Sequence, residues 1–267
     1  DKHRKPFWVI STINPVVDVM GEPVKYINVL FDITEQKLQE FRLIRQQSVL
    51  LELNSAPAIK EGNVKEAFQL IARRGMETLG TKRASIWLFI EGGKKVRCTT
   101  VVQNDKHEHA EGTILDTEMY PIYFRSLERE RFIAASEAVN DSRTKELAFT
   151  LFKPYGISSI LDTTIRQGTR TVGILSFEHQ GEPRHWTLDE QSFASSLADT
   201  TSLVLEQKER QLNVKLKQAY AQLEEKTQEI EQQKREMEET TKDLIHSIKY
   251  AKRIQTNILP SKELMDR

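Results

Sequence analysis

The sequence has little that would mark a membrane protein, a secreted protein or an enzyme. A single cysteine, Cys98, rules out an internal disulfide and fits a reducing compartment. The longest strongly apolar run, "ASIWLFI", falls far short of the roughly 20 residues that cross a bilayer, and the N-terminal residues show no signal-peptide pattern. Net charge is missing too. Lysine plus arginine and aspartate plus glutamate number 39 each, so no bulk field draws the chain to nucleic acid or to an anionic membrane. There is no hydrolase triad, glycine-rich phosphate loop or closed metal constellation. Between Pro183 and Pro260 glycine and proline are absent altogether, so nothing interrupts a helix there. What remains is a chain expected to be cytoplasmic, whose 38% apolar residues supply at least one core.

The periodicities that are present divide the chain. Residues 1 to 34 read as two alternating apolar runs on either side of "VMGEP", a Gly/Pro turn signal, and predict two antiparallel strands. Two strands alone bury too little to be stable, so this hairpin is expected to close a larger domain lying N-terminal to it. Leu38, Phe41, Ile44 and the run Val49 to Leu53 follow with helical spacing. A second helix starts after Asn63, with Glu66 three places on as in a capping box, and stops at Gly80. From Ala84 the period changes to two. "ASIWLFI" and "VRCTTVVQ" flank the reversal "EGGKK", and later "ISSILDTTIRQGTRTVGILSFEHQ" gives two more strands around Gln167 and Gly168. Between them "YPIYFRSLERER" and "SRTKELAFTLF" predict short cover helices. The fold class is therefore α+β, an antiparallel sheet with helices on both faces, between a hairpin and a long terminal helix.

Thr187 and Glu190 form a second capping-box pattern at the start of that last helix. An uninterrupted helix to Ile258 would be on the order of 110 Å long. Phe193, Ala194, Leu197, Ala198 and Val204 can pack on the sheet domain, whereas Leu216, Leu223, Ile230, Met237 and Leu244, then Ala251 and Ile258, recur every seven residues. A strict heptad of this kind predicts a parallel homodimeric coiled coil. Its second seam reads Asn213, Tyr220, Thr227, Lys234, Thr241, Ile248. Polar residues there make the coiled coil marginal, which suits a helix whose packing must change.

Three stretches resemble known modules. "PVVDVMGEPVKYINVLFDITEQK" is similar to the C-terminal end of a PAS sensor domain, with Asp32, Ile33 and Thr34 matching the signature that hands over to a signalling helix. Residues from about 49 to 207 resemble a GAF domain through "RASIWLFI", "VNDSRTKEL", "GISSILDTTIRQGTRTVGILSFEH" and the closing "RHWTLDEQSFASSLADTTSLVLE". That likeness implies a central sheet with the first and last helices on one face, and cover elements on the other enclosing a pocket in ligand-binding members. The terminal "SIKYAKRIQTNILP" resembles the lead-in to a SpoIIE-type, metal-dependent (PPM) serine/threonine phosphatase, whose metal-binding aspartates, and any Mn or Mg, would lie beyond Arg267.

The implied division is residues 1–37 for the end of the PAS domain, 38–56 for a connecting helix, 57–207 for the GAF domain, 208–258 for the coiled-coil transmitter and 259–267 for the start of the output domain. The implied partners are a second copy, a small molecule on the GAF domain and a phosphoprotein acted on by the output. A histidine-kinase sensor and a ligand-free dimerisation module remain the alternatives.

Individual residues carry further expectations. Phe89, Tyr123, Phe124, Phe132 and Thr163 are candidates to line a pocket between sheet and cover, with plain core packing the simpler account. His246 is followed by Ser247 rather than an acidic residue, and Ala251 stands where a phosphoacceptor helix has proline, so it reads as a surface histidine. His107 and His109 make an incomplete metal site on a polar loop. Cys98 lies in a strand and reads as a small packing residue rather than an attachment point for a chromophore. Asp189 and Glu190 read as first-turn acids favoured by the helix dipole.

Overall fold

A computed structural model of the chain describes residues 7–103 and 111–258. The chain falls into two units, Asp1–Lys208 and Glu209–Arg267. The elements in order are β1 (Val9–Val17), β2 (Pro23–Asp32), α1 (Thr34–Ser55), α2 (Pro57–Lys60), α3 (Val64–Leu79), β3 (Arg83–Ile90), β4 (Lys95–Gln103), β5 (Ile114–Asp116), α4 (Pro121–Arg129), β6 (Phe132–Ala135), β7 (Ile157–Gln167), β8 (Arg170–Gln180) and α5 (Leu188–Ile258).

The hairpin forms where alternation and the turn signal place it. β1 pairs antiparallel with β2, and Asp18 Oδ1 accepts hydrogen bonds from the Met20 and Glu22 amides across the turn, where Gly21 supplies a positive φ. Apolar side chains on both of its faces are exposed, among them Ile10, Ile13, Ile27 and Leu30. The Asp-Ile-Thr junction is a compact knot. Asp32 Oδ1 accepts from the Thr34 amide at 2.8 Å, Thr34 Oγ1 accepts from the Trp8 amide at 2.9 Å, and the Ile33 amide donates to the Trp8 carbonyl at 2.8 Å. The start of β1 is thereby tied to the first turn of α1.

The main sheet has six antiparallel strands in the order β5-β4-β3-β8-β7-β6. Because side chains alternate across a strand, each strand feeds two cores. On one face Ala84, Ile86, Leu161, Ile165, Leu175 and Phe177 pack against α1, α2, α3 and the first turns of α5, with Phe68, Ile71, Met76, Phe193 and Leu197 buried. Gly75 of α3 allows this contact to close. A Cβ there would lie 2.5 Å from the Phe177 ring and 2.8 Å from Leu197. On the other face Trp87, Val96, Cys98, Ile160 and Ile174 pack against α4 and the segment 145–152.

Local sequence signals decide some element ends and not others. Gly80 ends α3 in the left-handed conformation, and Thr187 and Glu190 form their reciprocal cap, with the Thr187 amide donating to Glu190 Oε2 at 3.0 Å. α3 starts where Asn63 and Glu66 place it, with Asn63 as the N-cap, but the capping-box bonds do not form. The Asn63 amide is taken by the Ala58 carbonyl at the end of the α2 turn, leaving Glu66 no donor to reach, and the Asn63 side chain caps nothing. The expected helix over "SRTKELAFTLF" is instead a 3-10 turn, Lys145–Leu147, running into a π turn, Ala148–Phe152, closed by the Lys153 amide on the Ala148 carbonyl. In residues 209–256 every side chain is exposed, and Leu216, Leu223, Ile230, Met237 and Leu244 are 53–66% accessible.

Candidate functional site

The second core is not filled like the first. Alternation along three neighbouring strands brings Arg83 and Ser85 of β3, Ser176 and Glu178 of β8 and Asp162 of β7 to one face, with Ser85 opposite Ser176, Arg83 opposite Glu178 and Asp162 opposite Ser176 in register. These five are polar and all buried. Burial of such groups is costly unless they are paired. Arg83 and Glu178 form an ion pair, Ser85 Oγ donates to Glu178 Oε1 at 2.8 Å, and Trp87 Nε1 donates to Ser85 Oγ at 2.9 Å. The Arg83 guanidinium also lies 4.7 Å from the centre of the Tyr155 ring.

A cavity of about 20 Å³ opens beside this polar stripe. Asp162, Ser176 and Glu178 form its polar end, and its apolar walls include Trp87, Tyr123, Phe124, Leu151 and Phe152. Tyr123 reaches in from α4, whose N-terminus is held by the 145–147 turn: Glu146 Oε2 accepts from the Ile122 and Tyr123 amides at 2.9 and 3.0 Å. The Tyr123 hydroxyl donates to Asp162 Oδ2 at 2.6 Å, while Asp162 Oδ1 has no hydrogen-bond partner among the described residues. Burial in this apolar setting raises the Asp162 pKa to about 7, against the pull of the Ser176 and Tyr123 hydroxyls, with Glu178 adding a further upward push. Tyr123 is pushed well above its ordinary value, first by burial and then by Asp162.

Of the residues singled out from sequence, Tyr123 and Phe124 line this cavity. Phe89 does not. It meets Phe124 edge to face at 5.8 Å and lines an adjoining open groove of about 600 Å³ with Arg125 and Arg170. Phe132 and Thr163 are cross-strand partners on the opposite face, where Phe132 packs on the helical core, so neither reaches the cavity. Alternation is the reason, since Thr163 follows Asp162 and must point the other way. Sequence reasoning missed the polar stripe, although its signal was present as polar residues at every second position of apolar strands: Arg83 and Ser85, Ser176 and Glu178.

Cys98 is buried, and burial pushes its thiol up to about 12, so it is not a ready nucleophile. Glu190 pairs with Arg184, and Asp189 lies 3.8 Å from Arg42. Asp32 is held below the usual carboxylate range by its hydrogen bonds from Thr34. His246 is exposed. Among the described residues no group of three or more histidine, cysteine or carboxylate side chains is placed to hold a metal, and no helix is long and apolar enough to cross a membrane. His107 and His109 lie outside the described residues, as do 259–267.

The sequence profile of the GAF domain matches residues 63–205, which span α3 through the early turns of α5 and so contain both the six-stranded sheet and the cavity. The chain belongs to the GAF family. Among solved structures it is similar to the GAF domain of an Acinetobacter phosphoenolpyruvate-protein phosphotransferase, at 14% identity and a TM-score of 0.51 over 65% of this chain and 98% of that one. It is also similar to the GAF domain of such a phosphotransferase from Coxiella burnetii, at 19% identity and 0.52 over 64% and 95%. A third is the phycoerythrobilin-bound GAF domain from a cyanobacterial phytochrome, at 15% identity and 0.52 over 62% and 97%. At these identities the likeness is one of fold. No curated protein matches the chain significantly. The GAF domain is a sensor module of signalling proteins, and here its sheet, α4 and the 145–152 turn enclose the cavity.

Proposed function

We propose that the chain is the cytoplasmic regulatory region of a signalling protein, in which the GAF domain binds a small molecule in the cavity at Asp162 and passes the change on through α5. The observation that carries this reading is a buried carboxylate, Asp162, which lines the cavity and whose Oδ1 has no hydrogen-bond partner among the described residues. A buried polar atom of that kind is what a ligand would satisfy.

The transmitter is a parallel homodimer joined along Leu216, Leu223, Ile230, Met237 and Leu244. The support is their heptad spacing together with their exposure in the single chain, since side chains of this size at this period are stable when covered by a like helix. The hairpin and the Asp32-Ile33-Thr34 knot act as the entry for an upstream PAS signal, a reading supported by the apolar hairpin faces and by the bonds that join Trp8 to the start of α1. The output is a PPM-type serine/threonine phosphatase acting on a phosphoprotein, on the strength of the resemblance at Ser247 to Pro260.

Native mass spectrometry of the purified chain tests the first two parts together. A dimer at micromolar concentration carrying a reproducible small molecule supports them, a monomer removes the transmitter, and a ligand-free dimer leaves only a dimerisation module. The residues after Arg267 test the third. Metal-binding aspartates support the phosphatase, whereas an ATP-binding asparagine motif replaces it with a kinase.

A further inference from the structure

We propose that α4 is a door between the cavity and the outer groove, latched shut by Glu146. This rests on the reading of the cavity as the ligand site and supplies its entry route.

Volume makes movement necessary. A space of about 20 Å³ takes one water-sized group and little more. The adjoining groove, at about 600 Å³, has the size of a small-molecule site but stands open to solvent. Phe124 lines both, so its side chain is part of the wall between them. Other side chains of α4 divide between the two: Tyr123 lines the cavity, and Pro121, Arg125 and Glu128 line the groove. Displacing this one short helix joins the two spaces, with Asp162, Ser176 and Glu178 at the inner end.

The two ends of α4 are held differently. At its C-terminal end Glu130 pairs with Arg143 at 2.9 Å, and β6 follows at Phe132 and is paired to β7. That end is the hinge. At its N-terminal end the Ile122 and Tyr123 amides both donate to Glu146 Oε2, and the Tyr120 hydroxyl meets Thr150 Oγ1 at 2.9 Å. Glu146 and Thr150 belong to the 145–152 segment, which contributes Leu147, Leu151 and Phe152 to the cavity wall. The seam between the two cover elements thus borders the cavity. It is closed by polar contacts that water can replace, because Glu146 is half-buried and the Tyr120–Thr150 pair is exposed. Opening also takes the Tyr123 hydroxyl away from Asp162 Oδ2, so the carboxyl group is released as the space is enlarged.

Hydrogen exchange of the tryptophan indoles in the 267-residue chain, followed by NMR, tests the latch. Trp87 lines the cavity and its Nε1–H donates to Ser85, whereas Trp186 is buried in the core on the other face of the sheet. Glu146→Ala removes the acceptor of two amides and should speed exchange at Trp87 by about tenfold or more while leaving Trp186 unchanged. Glu146→Gln, which keeps a carbonyl oxygen, and Tyr120→Phe should each give a smaller rise at Trp87 alone. An unchanged Trp87 rate overturns the proposal, as does an equal rise at both indoles, which marks global unfolding. If Glu146→Ala fails to fold by circular dichroism, Glu146→Gln and Tyr120→Phe decide by the same two rates. A molecule found by native mass spectrometry beside an unchanged Trp87 rate sinks the door and leaves the sensor reading standing. A ligand-free chain whose Trp87 rate rises keeps the door and sinks the sensor.

Discussion

The two faces of the GAF sheet are built from the same strands and are packed by opposite rules. Toward α1, α3 and α5 the core is almost wholly apolar and tight enough that Gly75 has no room for a Cβ. Toward α4 and the 145–152 turn the same strands bury an arginine, two carboxylates and two serines around an opening. The first face stabilises the domain; the second gives up stability for a polar site. On the proposed ligand reading, the first face is the scaffold that holds its shape and the second is the pocket that responds.

Substitutions on each face can break or sharpen this contrast. The largest effect is expected for Glu178→Ala, which leaves Arg83 buried without its counter-charge and should cost about 3–5 kcal/mol in denaturant unfolding. Combining Arg83→Met with Glu178→Leu should recover most of that loss. If the single variant costs under about 1 kcal/mol, the stripe is solvated and the contrast fails.

Next comes Gly173→Ala in β8. A Cβ there would sit 2.4 Å from the Trp87 carbonyl oxygen, which is backbone and cannot swing away. A loss of about 3 kcal/mol is expected in thermal unfolding.

A smaller, pH-dependent effect is expected at Asp162. The folded chain holds the proton up to about 7 where an ordinary aspartate releases it near 3.8, so folding is favoured most by this group below pH 4 and loses that contribution as pH rises toward 7. Asp162→Asn should therefore flatten the decline of Tm between pH 4 and 7. Structural relaxation and water entry on ionisation hold the difference at the upper end to on the order of 1–2 kcal/mol. An unchanged slope would place the origin of the pH dependence elsewhere.

The smallest effect on folding belongs to Ile230→Ser in α5. The side chain is 64% exposed in the single chain, so unfolding of the GAF domain should change by less than about 0.5 kcal/mol. Sedimentation should nonetheless show weaker self-association. Loss of GAF stability without any change in sedimentation would contradict the dimer seam.

Much of the fold was legible in local patterns. The alternation of "ASIWLFI" and of "GILSFEH", the left-handed glycine after Leu79 and the Thr187–Glu190 cap each act within a few residues, and each formed. The site was legible only in part. Tyr123 and Phe124 are neighbours on one short helix and could be guessed together, but whether Thr163 or its neighbour Asp162 points at α4 depends on which face of β7 the cover elements occupy. That is a property of sheet order, in which β8 lies between β3 and β7 although β3 and β7 are far apart in sequence. The Asn63 capping-box bonds failed for a related reason, since the Asn63 amide was claimed by Ala58 across the α2 turn.

By itself, then, the amino-acid order determined the hairpin, four strands of the main sheet, the longer helices and the heptad of α5, because spacing, capping and turn chemistry are short-range, whereas β5, β6 and the turns of 145–152 were not legible in it. Only the tertiary structure decided that Arg83, Ser85, Asp162, Ser176 and Glu178 share one buried face. Pairing between strands as distant as Arg83 and Glu178, 95 residues apart, sets which alternating half of each strand meets which core.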